Sequence, residues 1–211
     1  GLEMIEEEEG EGKGENVNRM SLLDIGAGSG HMTEKMRPFF KDIVATEVSS
    51  MMVQSLRNRN ITTVETGDID SDEWLKEQKF DTISCLNVLD RCDRPLSLMR
   101  QIREALLRST SPSSSSPLLC ILAIVIPFCP FVETTAGQME PEEYIKLRGN
   151  HSFETAVNSF VEDVITPCGF RVISFSRVPY VSIEDSVYVL DNCVFVLAPL
   201  PDELLTHPFI G

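Results

Sequence analysis

The sequence is short of basic charge. Eighteen lysines and arginines stand against 33 aspartates and glutamates, a formal net charge of −15. Such a surface repels nucleic-acid phosphates and anionic membranes, so no nucleic-acid partner is expected. Long apolar runs are missing too. The longest, Leu118 to Ile126, has nine residues before Pro127, less than half of the ~20 that a membrane span requires. The first residues show no basic-then-apolar secretory pattern. The six cysteines (Cys85, Cys92, Cys120, Cys129, Cys168, Cys193) form no C-x-x-C pair, and His31, His151 and His207 lie far apart. That spacing offers no zinc site and favours buried free thiols over a disulfide framework. What is present is ordinary globular material: 211 residues, 42% apolar and 24% charged, enough to bury a core and to exclude wholesale disorder.

Residues 1–19 crowd Glu3, Glu6, Glu7, Glu8, Glu9, Glu11 and Glu15 among glycines, with Lys13 as the only lysine. Self-repulsion and glycine entropy predict a solvated tail or linker there. From Met20 the texture changes to alternating apolar runs and helical periods. Strands are predicted at Met20–Ile25, Asp42–Glu47, Ile61–Glu65, Phe80–Leu86 and Leu118–Ile126. Helices are predicted at His31–Phe40, from a Ser49 cap to Arg57, at Arg94–Leu107, Glu140–Arg148 and Phe153–Ile165, with Gly169 as a stop. Residues 109–117, serine and proline throughout but for Thr110, predict a mobile loop. Phe170–Val178 and Ser186–Leu197 read as closing strands whose short connection forces antiparallel pairing. The expected fold is α/β: a doubly wound, Rossmann-like, mostly parallel seven-stranded sheet with a C-terminal antiparallel hairpin and helices on both faces. The domain spans 20–200, with 201–211 as a tail. Its ligand belongs at the carboxyl ends of the first, second and fourth strands.

The motif at that place is Leu23-Asp24-Ile25-Gly26-Ala27-Gly28-Ser29-Gly30. Gly26, Gly28 and Gly30 let backbone N–H groups approach a ligand without a Cβ in the way. The dinucleotide fingerprint would place its third glycine at His31, and the phosphate-loop Gly-Lys-Ser/Thr is absent. Asp24 at the strand end opposes a pyrophosphate but suits a ligand carrying ammonium and sulfonium charge. Glu47, closing the second strand, can accept both hydroxyls of an unphosphorylated ribose. Asp68, after the third strand, is within reach of an adenine amino group. Each alone has a plainer reading: helix capping for Asp24, surface charge for Glu47, turn chemistry for Asp68. Taken in order, each after a strand, they describe a pocket for S-adenosylmethionine.

From Met20 to Pro199 the chain resembles the class I S-adenosylmethionine-dependent methyltransferases. More narrowly, Ile83-Ser84-Cys85-Leu86-Asn87-Val88-Leu89-Asp90-Arg91-Cys92-Asp93 resembles the DREV family, as do Pro127-Phe128-Cys129-Pro130-Phe131-Val132-Glu133 and Tyr188-Val189-Leu190-Asp191-Asn192. The glycine loop is generic to the superfamily; the Leu-Asn-x-Leu-Asp-Arg-Cys stretch carries the narrower resemblance. The resemblance implies protein-histidine N-pros methylation in histidine-rich, His-x-His contexts. It places Asn87 and Asp90 at the border of the substrate site. A carboxylate on the imidazole N–H fixes the tautomer and stabilises the imidazolium, which gives Asp90 a role. Asn87 would orient the cofactor's amino-acid end or the imidazole. Arg91, Tyr188 and Phe128 are expected to contact substrate. Against these stand an Asp90–Arg91 ion pair, core packing for Tyr188 and strand punctuation for the proline segment. The family's association with the endoplasmic reticulum and mitochondria is an implication of the resemblance alone. Two readings compete: a small-molecule methyltransferase, and a fold that binds partners without turnover.

Overall fold

The computed structural model describes residues 20–110, 117–134, 137–183 and 187–205. The acidic stretch and most of the serine-rich loop therefore lie outside the described residues. Seven strands form one sheet in the order β3-β2-β1-β4-β5-β9-β8. They are β1 (Ser21–Ile25), β2 (Asp42–Glu47), β3 (Thr62–Glu65), β4 (Thr82–Leu86), β5 (Leu119–Ile126), β8 (Phe170–Ile183) and β9 (Val187–Pro199). The first five run parallel, and β9 pairs antiparallel with both β5 and β8. The expected topology is the observed one.

Strand alternation divides the sheet into two faces. Leu23, Ile25, Ile83 and Cys85 stand side by side with Leu122, Ile124, Cys193 and Phe195 in the main core. Helices α4 (Pro95–Arg108) and α5 (Phe153–Phe160) cover it through Met99, Ile102 and Phe160. On the opposite face Asp24, Ala45 and Ser84 are register partners, and helices α1 (His31–Met36) and α2 (Ser50–Asn58) supply Thr33 and Leu56. Helices thus lie on both faces, as right-handed crossovers require.

The structure departs from the expected elements in several places. Residues 140–148 are not helical. Ile145 and Leu147 are buried while Lys146 and Arg148 are exposed, a two-residue period that fits extended chain. Glu142 N–H and Glu143 N–H are bound by Asp93 Oδ1 and the Asp93 carbonyl. A short helix α3 (Glu73–Glu77), capped by Asp72 on Leu75 N–H, and a separate hairpin of β6 (Val132–Thr134) and β7 (Gly137–Met139) carried too few residues to show a period. Ser49 occupies the cap position of α2 without a side-chain cap bond. The closing hairpin is longer than expected: β8 continues through Pro179 to Ile183. Ser109 belongs to the core, not the loop. It is buried, accepts from Phe80 N–H at 2.8 Å and donates to the Ala105 carbonyl at 3.1 Å. The start of the expected tail is likewise tied down, since buried Arg103 binds the Leu200 carbonyl and Asp202.

Candidate active site

The topological switch falls between β1 and β4, and a cavity of about 860 Å3 opens there. That is the size of a small-molecule site. Ile25 at the end of β1 and Gly26 after it, Thr46 and Glu47 on β2, Thr66–Asp68 after β3, and Asn87, Val88 and Arg91 after β4 contribute to its wall. Val132 and Glu133 of β6 close one side.

The glycine loop divides its work. Gly26 lines the cavity with a positive φ of 62°, and a Cβ there would come 2.6 Å from Val88 Cγ2. Gly30, at φ 84°, packs against α2, where a Cβ would meet Leu56 Cδ2 at 2.8 Å. Close packing and a positive φ both require glycine there. Gly28 is not on the cavity wall; its N–H donates to Glu47 Oε2 at 2.8 Å. Glu47 Oε1 accepts from Val48 and Ser49 N–H at 2.8 and 3.0 Å. Three backbone donors therefore converge on one buried carboxylate at the cavity edge.

Asp24 also departs from expectation. It lies behind the wall, buried, with Oδ2 accepting from Thr33 Oγ1 at 2.6 Å and Oδ1 from Ser84 Oγ at 2.7 Å. It clasps β1, α1 and β4 together. Burial raises its carboxyl above the ordinary value, and the two hydroxyls oppose that shift. Asp68 serves a turn and also borders the cavity. It lines the cavity, and its Oδ1 accepts from Asp70 N–H at 3.0 Å, a turn bond, and from Gln101 Nε2 at 2.8 Å.

The turn after β4 holds the polar groups with the least satisfaction. Asn87 sits at φ 58°, unusual for a residue with a side chain, and its N–H is held by the Ala123 carbonyl at 3.0 Å. Its Oδ1 is buried without a donor on the cavity wall. Asp90, 4% exposed, is not itself on the wall, but Val88, Arg91 and Cys92 beside it in the turn are. Oδ2 accepts from Arg91 Nη1 at 2.6 Å, while Oδ1 has no donor. Burial raises this carboxyl, with Arg91 pulling the other way. A buried acceptor left unmade costs ~1–3 kcal/mol, and an incoming donor removes that cost.

Phe128, expected at the substrate, is a core residue instead. It is 3% exposed and 6.1 Å from the Phe160 ring, and its backbone N–H and carbonyl are both bound by the Asn150 side chain. The sequence showed an aromatic between prolines but not which way it turned. Its neighbour Phe131 is the aromatic near Asp90: it stacks under Arg91, and its N–H donates to the Asp90 carbonyl at 3.0 Å. Tyr188 falls in β9 opposite Ser182, and its side chain lies outside the described residues.

The family model for DREV methyltransferase matches residues 4–199. The chain belongs to the DREV methyltransferase family. The match runs from within the acidic stretch to the end of β9. Solved structures of similar fold include the N-methyltransferase NodS from Bradyrhizobium japonicum WM9 in complex with S-adenosyl-L-homocysteine. It is 15% identical with a TM-score of 0.50, over 85% of this chain and 78% of that one. The [4+2]-cyclase SpnF is 14% identical with a TM-score of 0.54, over 87% and 77%. The carbon methyltransferase CurJ is 14% identical with a TM-score of 0.55, over 90% and 50%. At such identities these neighbours establish the fold and no more; a cyclase among them shows that the fold does not fix the reaction. A methyltransferase family on this fold makes S-adenosylmethionine the cofactor of the DREV protein. The residues present fit it: a loop without Cβ atoms at Gly26, a buried carboxylate at Glu47 and an orphaned amide oxygen at Asn87. Among the described residues no helix is long and apolar enough to cross a membrane.

Proposed function

We propose that this DREV methyltransferase methylates the pros nitrogen of histidine in His-x-His segments of proteins. When bound, S-adenosylmethionine supplies an electrophilic methyl carbon on a sulfonium sulfur. Glu47 and Asp68 hold the nucleoside end; Asn87 Oδ1 accepts from the amino-acid end. Glu47 has one acceptor position left of the roughly four on a carboxylate, its other three being occupied by Gly28, Val48 and Ser49.

Asp90 acts on the acceptor. Its Oδ1 takes the tele N–H of a neutral imidazole, which fixes the tautomer and leaves the pros lone pair free. As that nitrogen gains a methyl group the ring becomes cationic, and the Asp90 carboxylate stabilises it. The ring proton then leaves to solvent and the product is neutral. The observation that carries this reading is the buried, donorless Asp90 Oδ1 at the end of β4. The net charge of −15 supports it, because partly protonated histidine tracts are drawn to such a surface. Incubation with labelled cofactor and a His-Ala-His peptide tests it. Label on the pros nitrogen is the expected result; no transfer to the peptide overturns the reading.

A further inference from the structure

Asp90 does not stand alone. Arg91 Nη1 donates to Asp90 Oδ2 at 2.6 Å, to the Asp90 carbonyl at 2.8 Å and to the Cys129 carbonyl at 3.2 Å. Its guanidinium lies 3.9 Å from the centre of the Phe131 ring. The Arg91 side chain is 44% exposed and lines the cavity, whereas that of Asp90 is 6% exposed. A guanidinium fixed by three acceptors and an aromatic face is a held group, not a swinging surface chain.

That arrangement bears on what the site accepts. A lone carboxylate in a buried turn favours a cation, and the side-chain cations of a peptide are the lysine ammonium, the arginine guanidinium and the histidine imidazolium. None has the free lone pair that methyl transfer requires. The rest of the cavity deepens this bias, since Glu47, Asp68, Asp93 and Glu133 line it too. Arg94, also on the wall, is engaged by Glu142 at 2.7 and 2.9 Å. Asp90 also acts on the thiols of Cys85 on β4 and Cys92 on the same turn. Burial keeps both protonated, Cys92 being pushed up to about 12.

We infer that Arg91 is a specificity-determining residue: paired with Asp90 Oδ2 and stacked on Phe131, it offsets the carboxylate's charge, so that Oδ1 takes the N–H of a neutral ring without drawing in a ready-made cation, while its hydrogen bond still stabilises the imidazolium as the ring is methylated. The acidic cavity attracts a histidine-rich segment from a distance, and the Asp90–Arg91 pair selects its uncharged form on contact. This inference rests on the histidine acceptor proposed above.

The test compares two peptides that differ only in His or Lys at the acceptor position. Their binding is measured by calorimetry with S-adenosylhomocysteine present, at about pH 8, where imidazole is neutral and the amine is charged. Wild type favours the His peptide. Arg91→Gln keeps a donor for Oδ2 without the charge, and is expected to shift the ratio of the two dissociation constants roughly tenfold toward Lys. Arg91→Lys keeps the charge and is expected to retain the wild-type ratio. Far-UV circular dichroism and a cooperative thermal transition like that of wild type show that both variants are folded. An unchanged peptide ratio in Arg91→Gln overturns the inference and leaves the histidine reading standing, provided wild type methylates the His peptide. A wild type that neither binds nor methylates it overturns both.

Discussion

Asn87 Oδ1 and Asp90 Oδ1 are buried acceptors without donors, three residues apart on the turn that leaves β4. Two further such atoms among the described residues, Thr82 Oγ1 and Asn192 Oδ1, sit on strands β4 and β9. The turn is where the local sequence conflicts with the fold: a left-handed asparagine, then a buried carboxylate. Conflicts of this kind mark functional sites, because the bound state resolves what the free state leaves open.

Substitutions at Asn87 separate backbone strain from recognition. Asn87→Gly relieves a left-handed conformation that costs an ordinary side chain ~1–2 kcal/mol, and it also removes the amide oxygen. Asn87→Ala removes the oxygen and keeps the strain. Both are expected to weaken S-adenosylhomocysteine binding about tenfold, the loss of one good hydrogen bond. Urea unfolding should find the Gly variant more stable than the Ala variant by about 1 kcal/mol. Full affinity in both would exclude Asn87 from the cofactor site.

At Asp90 stability and activity oppose each other. Burial raises this carboxyl above 3.8. A group raised in the folded state favours folding fully below its unfolded value, and that contribution is lost as pH rises through the folded value. At neutral pH the ionised carboxylate therefore weighs against the fold. Asp90→Asn is expected to melt above wild type at about pH 7 and to match it near pH 3. The raised carboxyl of Asp24 is common to both proteins and cancels. The same variant should bind cofactor normally and transfer no methyl group. A wild-type melting advantage at neutral pH, or retained turnover, contradicts this assignment.

The sheet was legible because its parallel strands are short β-branched or apolar runs, and β1, β2 and β4 are each followed by a helical period. The carboxyl ends of β1, β2 and β4 then placed the cavity. Side-chain direction was not legible. Asp24 and Glu47 both stand at the carboxyl end of a strand, yet one faces hydroxyls behind the wall and the other the glycine loop. Phe128 and Phe131 flank the same Cys-Pro pair, yet one enters the core and the other meets Arg91. Each outcome depends on contacts with distant segments: Thr33 and Ser84 for Asp24, Asn150 for Phe128. Residues 140–148 read as a helix by content, but their two-residue burial period follows from Asp93 holding both backbone amides.

Glu47 is expected to govern the glycine loop before any cofactor arrives. Glu47→Gln replaces one carboxylate oxygen by an amide donor, so at least one of the Gly28, Val48 and Ser49 N–H groups loses its acceptor. The cost should be about 1–3 kcal/mol in urea unfolding. Amide exchange at Gly28 should quicken in the same variant without ligand. Unaltered exchange would show that Glu47 does not support the loop.

Gly26 and Val88 are packed side by side on the cavity wall and should prove coupled. An alanine at 26 places its Cβ 2.6 Å from Val88 Cγ2, inside any tolerable contact, and also occupies a φ of 62°. Gly26→Ala therefore carries a clash and a backbone cost, and is expected to destabilise the protein and to lose cofactor binding. Val88→Ala removes the clashing methyl groups but leaves the backbone as it is. The double variant should recover about 1 kcal/mol relative to the sum of the singles, as contacting residues do. It should still fall short of wild type by the ~1–2 kcal/mol of left-handed strain. Additive effects in urea unfolding would mean that Val88 swings clear of position 26, and that the loop tolerates more bulk at this wall than its glycine suggests.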